Sequence, residues 1–301
     1  MSRFLYQMHV MWYELEMLPE TLESLSTALS FAEIPVDITV CFNKQTYLEK
    51  PITNNINEGF DEVAKHPVFK NATIIEKTDS DLFYNIGDWR REIRGSDGYT
   101  IWGESDTLIP IIYFPLLEQI WKIRDQLVQP HVVSLASRKM WDTSWEPVEH
   151  PDIKPYTPDA QGKTNAPVPI SHDHYIDQEE LDNFNNQYVD EGLSLEVIYP
   201  PKIDGSMLAL HPELPQLIAS EIHLPSEDFC AQLALTALNI PQYHVSNIIK
   251  GHNYHHPHKR TNTMANRNEY GEVIRGGELV DNLKLESAIA RNRFIGGLLR
   301  G

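Results

Sequence analysis

Hydrophobic and polar positions alternate along the first half of the chain in a way that predicts strands followed by helices. Short runs rich in β-branched and aromatic residues are separated by stretches in which apolar residues recur at helical spacing. The predicted strands cover residues 4–11, 36–42, 72–75, 99–102 and 131–135, and the predicted helices cover 19–31, 79–94 and 114–127. This order is typical of an α/β fold with a mostly parallel central sheet flanked by helices.

The pattern changes between about residues 142 and 192, where prolines interrupt polar sequence. We expect a long polar insertion with little regular structure, because insertions of this kind in compact folds usually form binding loops. Beyond it, the pattern predicts a strand over 193–198, a helix over 226–238 and a strand over 245–249. The remainder, 259–301, is predicted to be a C-terminal tail that ends in an amphipathic helix.

Two carboxylates follow the predicted strand 99–102, namely Glu104 and Asp106 with Ser105 between them. Open α/β sheets bind ligands at the carboxyl ends of their strands. Two oxygen ligands placed there suit Mg²⁺ or Mn²⁺, which combine carboxylate with phosphate oxygens. Taken alone, an acidic pair after a strand is more often a solvent-exposed turn.

The order of motifs around this pair resembles the GT-A (Rossmann-like) glycosyltransferases, in particular the family-2 inverting enzymes, over roughly the first 255 residues. A helix carrying Arg90 precedes the acidic motif, an acidic pair, Glu227 and Asp228, begins a later helix, and His252 follows the last predicted strand. The resemblance implies a catalytic domain over 1–258, in which 142–192 forms an insertion on the acceptor side, followed by the tail 259–301.

The resemblance also implies a metal site and a catalytic base. Asp106 would be the main ligand of Mn²⁺ or Mg²⁺, with Glu104 coordinating directly or through water, and His252 or else His256 completing the site. Asp228, in the pair with Glu227, would accept the proton of the acceptor hydroxyl. The acidic pair is also explained by the favourable interaction of carboxylates with a helix N-terminus, and the histidine cluster 252–258 by an exposed turn.

Further positions are implied to contact the donor, a nucleotide-diphospho-sugar. These cofactor-binding candidates are Tyr13, Glu14, Asn43, Arg90, Glu104 and Ser105. Asn43 stands where the family has an acidic residue that reads the nucleobase, so the identity of the base is not carried over. Arg90 and its neighbour Arg91 are also compatible with a surface salt bridge.

Composition restricts the partners. The chain of 301 residues has a formal net charge of −18, so it should repel polyanions, although basic residues outnumber acidic ones in the tail. The resemblance implies a saccharide as the default acceptor, and a hydroxymethylated base in DNA is the alternative. The two cysteines indicate no disulfide framework, no signal peptide is recognisable, and the most apolar stretch, 108–117, is too short for a membrane span. We expect a cytoplasmic protein.

Three functions fit these observations. The first is a cation-dependent, inverting glycosyltransferase for hexosyl or pentosyl groups. The second is a nucleotidyltransferase on a similar sheet, which would normally show a glycine-rich phosphate loop near the N-terminus that this sequence lacks. The third is a non-catalytic protein that binds a nucleotide or a sugar.

Overall fold

Nine strands and seven helices make up the described part of the chain. The computed structural model describes residues 2–45, 56–82, 84–92, 95–137, 143–152, 176–219 and 227–253. The strands are Phe4–Met11 (β1), Val36–Asn43 (β2), Thr73–Lys77 (β3), Thr100–Gly103 (β4), Thr107–Leu108 (β5), Val132–Ser137 (β6), Leu195–Ile198 (β7), Leu208–Leu210 (β8) and Gln242–His252 (β9). The helices are Leu18–Leu29 (α1), Ile56–Val63 (α2), Ile86–Glu92 (α3), Tyr113–Lys122 (α4), Gln178–Asn186 (α5), Leu214–Ile218 (α6) and Glu227–Ala237 (α7).

The strands form one sheet in the order β3-β2-β1-β4-β8-β6-β9-β5, and β7 pairs with β9. Strands β3, β2, β1 and β4 are parallel neighbours. Strand β8 is antiparallel to both β4 and β6, so β6 and its parallel neighbour β9 run in the same direction as β4. The predicted fold class, α/β with a mostly parallel sheet flanked by helices, is therefore confirmed.

The alternation of side chains along β1 separates two layers of core. Phe4, Tyr6, Met8 and Val10 are fully buried on one face, where they join the apolar stripe of α1 and the buried face of α4. The opposite face carries Trp102 beside α6 and α7, and a smaller group that includes Trp89 of α3. Because the sheet is covered on both faces, its functional groups are confined to the strand ends.

Two departures from the predicted pattern have a local cap as their cause. The helix predicted over 79–94 begins only at Ile86, because Asn85 and Asp88 each accept the other's backbone N–H at 3.1 Å and so cap its first turn. The region predicted to have little regular structure contains α5, whose N-cap Asp177 accepts a bond from the N–H of Glu180 at 2.8 Å.

Helix α5 packs against the long strand β9. Asn185 donates to the carbonyl of Ile249 at 2.9 Å and accepts from its N–H at 2.8 Å, so a buried amide joins the insertion to the sheet. Residues 153–175 of the insertion and the tail 259–301 lie outside the described residues, so the proposed domain boundary at 258 stays a prediction. No helix among the described residues is long and apolar enough to cross a lipid bilayer.

Candidate active site

The acidic motif lies at the carboxyl end of β4, and the pairing of two later strands fixes its surroundings. Glu104 follows the last residue of β4, and Asp106 precedes β5. Strand β5 is antiparallel to the end of β9, with Thr107 opposite His252. The N–H of Asn253 donates to the carbonyl of Asp106 at 2.8 Å and extends this pairing. The sheet register therefore brings His252 beside the acidic motif from the far end of the chain.

Glu104, Asp106 and His252 form a candidate cation site. One ligand atom from each residue lies within 4.8 Å of the others, and all three side chains are partly exposed. Two carboxylates and one imidazole fit Mn²⁺, since carboxylates suit hard divalent cations and imidazole suits the transition metals. The structure thus brings together three of the four residues that we predicted as ligands, whereas His256 lies outside the described residues.

Arg90 connects this site to the acidic pair on α7. Its guanidinium donates to Glu104 at 3.2 Å, to Glu227 at 2.9 Å and to the carbonyl of Gly205 at 2.7 Å. It also lies over the ring of Trp102, with the guanidinium carbon 4.5 Å from the ring centroid. Only 2% of the side chain is exposed, so Arg90 is a buried bridge between carboxylates and not a surface salt bridge.

The acidic pair at the start of α7 divides into two environments. Burial raises the pKa of Glu227, although the ion pair with Arg90 acts to lower it. Burial also raises the pKa of Asp228, against the attraction of Arg90 and with further repulsion from Glu104 and Asp204. Glu227 is thus engaged by the guanidinium, whereas the carboxylate of Asp228 accepts the N–H of Phe229 at 2.7 Å. A raised pKa makes Asp228 a stronger proton acceptor near neutral pH.

A buried ion pair that the sequence pattern did not predict lies next to this site. Lys250 donates to the carboxylate of Asp204 and to the carbonyl of Ser206. Burial alone would raise the pKa of Asp204, but the ion pair with Lys250 lowers it. The signal in the sequence was the two-residue spacing of Lys250 and His252 on one strand, which places both side chains on the same face.

Two of the predicted donor contacts, Asn43 and Glu14, are buried side chains that bond to neighbouring backbone. Asn43 is fully buried: its amide nitrogen donates to the carbonyl of Tyr84 at 2.8 Å and lies 3.2 Å from Nε2 of His9, and its amide oxygen accepts the N–H of Gln45. The Glu14 carboxylate accepts the N–H of Met11 at 2.7 Å. Both side chains therefore form hydrogen bonds with the protein's own backbone.

Ser105 and Tyr13 complete the predicted donor contacts. The hydroxyl of Ser105 is buried without a hydrogen-bond partner within the described ranges, and its carbonyl accepts the hydroxyl of Thr21 at 2.8 Å. The side chain of Tyr13 lies outside what the structure describes. Of the predicted donor contacts, Arg90 and Glu104 are therefore the two that the structure brings to the candidate cation site.

The sequence matches no protein-family model and no curated protein. Among solved structures, the chain is similar in fold to S. aureus TarS residues 1–349, at 14% identity and a TM-score of 0.42 over 83% of this chain and 60% of that chain. It is also similar to GalNAc-T7 crystallised with UDP, GalNAc and Mn²⁺, at 13% identity and a TM-score of 0.44 over 84% of this chain and 44% of that chain.

A third similar structure is the inositol-1-phosphate CTP transferase from T. maritima, at 8% identity and a TM-score of 0.38, covering 85% of this chain and 91% of that chain. This chain spans 60% of the TarS fragment and 44% of the GalNAc-T7 chain. At these identities the likeness concerns the fold alone, and the function has to be argued from the site.

Gly205 is placed where a side chain cannot be accommodated. A Cβ atom at this position would lie 2.6 Å from the Glu104 carboxylate and 2.7 Å from the Arg90 guanidinium. We expect Gly205→Ala to lower the free energy of unfolding by about 1–3 kcal/mol, because the guanidinium can move away only by losing a charged hydrogen bond. Urea denaturation measures this change.

The neighbouring substitution Ser206→Ala is the matched control for Gly205→Ala. The Ser206 hydroxyl is buried and makes no hydrogen bond within the described residues, whereas its N–H and carbonyl hold the turn. Removing that hydroxyl should leave stability nearly unchanged. Equal stability of Gly205→Ala and the wild type would show that Arg90 and Glu104 are not packed against this glycine.

Proposed function

We propose that this protein is a GT-A type glycosyltransferase, which moves a sugar from a nucleotide-diphospho-sugar to an acceptor hydroxyl with the help of a divalent cation. The observation that supports this most strongly is the convergence of Glu104, Asp106 and His252 beside Asp228, at the carboxyl end of β4. Displacement of a diphosphate by a hydroxyl requires a cation to stabilise the leaving group and a base to accept the hydroxyl proton, and this site offers candidates for both.

The residues present fit Mn²⁺, with Mg²⁺ as the alternative. Asp106 and His252 would hold the ion together with Glu104, one of whose oxygens accepts a hydrogen bond from Arg90. The bound ion would supply positive charge to the leaving diphosphate. Arg90 keeps Glu104 in one orientation, because the guanidinium is fixed by Glu227, Gly205 and Trp102 as well.

Asp228 is the proposed general base. Its partner in the acidic pair, Glu227, is bonded to Arg90 and is therefore assigned to orient the guanidinium, while Asp228 accepts the proton of the acceptor hydroxyl. The deprotonated oxygen then attacks the anomeric carbon and displaces the nucleoside diphosphate. In-line attack inverts the configuration at that carbon.

A saccharide is the proposed acceptor. The formal net charge of −18 disfavours a polyanionic acceptor such as duplex DNA, whose binding depends on neutralising phosphates. Five carboxylates, those of Glu104, Asp106, Asp204, Glu227 and Asp228, belong to this site or its immediate surroundings. A neutral sugar hydroxyl meets less repulsion there than a phosphodiester.

The test is release of nucleoside diphosphate from a panel of nucleotide-sugars with Mn²⁺ and mixed saccharide acceptors. We expect Asp228→Asn to reduce turnover about a hundredfold or more, since the amide cannot accept the proton. The same substitution at exposed Asp61 of α2 is the control and should leave turnover unchanged.

The other outcomes of this assay are equally informative. Release of pyrophosphate in place of nucleoside diphosphate would identify a nucleotidyltransferase. Thermal stabilisation by a nucleotide-sugar, with no turnover on any acceptor, would identify a binding protein. Full activity of Asp228→Asn would remove Asp228 from the mechanism.

A further inference from the structure

Lys250 is a buried cation that the proposed mechanism does not use. It lies on β9 two residues before His252, and 3% of its side chain is exposed. Its ammonium group donates to the carboxylate of Asp204 and to the carbonyl of Ser206. Burying two opposite charges is costly even when they are paired, so such a pair is weak evidence for stability and calls for another explanation.

The turn held by Lys250 is the same turn that holds Arg90. Asp204 accepts the N–H of Ser206 at 3.1 Å, so the turn is closed on itself as well as bound to the lysine. Between these two residues, the carbonyl of Gly205 accepts a hydrogen bond from Arg90 at 2.7 Å. The orientation of this carbonyl therefore depends on how Lys250 fixes the residues on either side of it.

We propose that Lys250 is a positioning residue for the transfer reaction. It fixes the turn 204–206, and through the Gly205 carbonyl it sets the Arg90 guanidinium, which in turn orients the carboxylates of Glu104 and Glu227. Its catalytic consequence rests on the function proposed above, whereas its effect on Arg90 does not.

The geometry explains why a lysine is suited to this position. The ammonium group can donate in three directions, and it reaches both a carboxylate and a carbonyl on the two residues that flank Gly205. Strand β9 also carries His252. Strand β9 thus supplies one candidate cation ligand, His252. Through Lys250 it also supports Arg90, which holds the second candidate ligand, Glu104.

Nuclear magnetic resonance of the free protein tests the proposal without any substrate. We expect the Arg90 guanidinium protons of the wild type to exchange slowly with solvent, with their signals assigned by their absence in Arg90→Lys. In the double variant Lys250→Met with Asp204→Asn, which removes both buried charges, this protection should fall at least about tenfold because the turn no longer fixes the Gly205 carbonyl. Lys122→Met, at an exposed ion pair with Glu33, is the control.

Kinetics give the second readout, measured well below the unfolding temperature of each variant. We expect the double variant to lose about tenfold or more in kcat, with KM for the donor changed by less than about threefold, since misplaced groups affect the reaction more than binding. Unchanged Arg90 protection in the folded double variant would overturn the proposal, and so would a change confined to KM. If the wild type transfers no sugar, the proposed function fails and the resonance experiment alone decides the role of Lys250.

Discussion

Replacing Asp106 with asparagine should abolish the response to Mn²⁺ and reduce turnover about a hundredfold or more, because a bound cation contributes several kcal/mol to stabilising a leaving diphosphate. Asparagine has nearly the same shape but only one oxygen, which carries no formal charge. The ligand atoms of Glu104 and His252 remain within reach of the ion, but the set loses one of its two negative charges.

The fold should tolerate this substitution, because the backbone around Asp106 is held independently of its carboxylate. Its carbonyl accepts the N–H of Asn253 at 2.8 Å, and β5 begins at the next residue and pairs with the end of β9. We therefore expect the unfolding temperature of Asp106→Asn to equal or exceed that of the wild type. Removing one of several like charges relieves repulsion in a protein without cation.

Paramagnetic resonance of Mn²⁺ measures the affinity of the free protein and separates binding from turnover. Asp37→Asn is the matched control, because Asp37 pairs with Arg3 at the amino end of the sheet, away from the strand ends that carry the site. The control should bind Mn²⁺ as tightly as the wild type. Unaltered Mn²⁺ affinity in Asp106→Asn would show that the carboxylates of this motif do not form the cation site.

The sequence allowed most of the sheet to be predicted because its strands carry strong local signals. Strand β1 has the predicted bounds Phe4–Met11, since each of its apolar residues alternates with a residue of the other face. Helix α1 agrees within two residues at each end, because its apolar residues recur at helical spacing and form one buried stripe. Strands β5 and β8, with two and three residues, were not predicted, because so short a segment has no period of its own.

Within the site, the groups that could be predicted are those at the ends of regular elements. Glu104 and His252 each follow or end a strand, so the direction of the chain determines which edge of the sheet they reach. Asp204 and Gly205 lie in a connection without a period, and their roles depend on Arg90 and Lys250, far away in sequence. A pattern within one segment contains no information about such contacts.

Polar residues near strand ends show why contacts with a donor are hard to predict from a sequence. Asn43 was predicted to face a nucleobase, but its amide is fully buried and bonds to neighbouring backbone. Glu14 caps the turn that follows β1 in the same way. A carboxylate or an amide at the end of a strand can satisfy either a ligand or the backbone, and only the tertiary structure decides which.

Replacing Arg90 with methionine should destabilise the protein by about 3–5 kcal/mol, the effect expected when one partner of a buried ion pair is removed. Methionine fills much of the same volume but leaves the carboxylates of Glu104 and Glu227, and the carbonyl of Gly205, without their donor. Burial already raises the pKa of Glu227 in spite of Arg90. Without the guanidinium, we expect that pKa to rise further, so that the stability deficit becomes smaller as the pH falls.

Arg91 provides the control, because it is the same residue type at the next position of α3. Arg91 is half-buried, no hydrogen bond or ion pair of its side chain is found within the described residues, and burial lowers its pKa. Arg91→Met should therefore cost far less than Arg90→Met in urea denaturation at pH 7. If the two variants lose the same stability, then Arg90 acts only by filling space, and the bridge between the candidate cation site and the acidic pair contributes nothing to the fold.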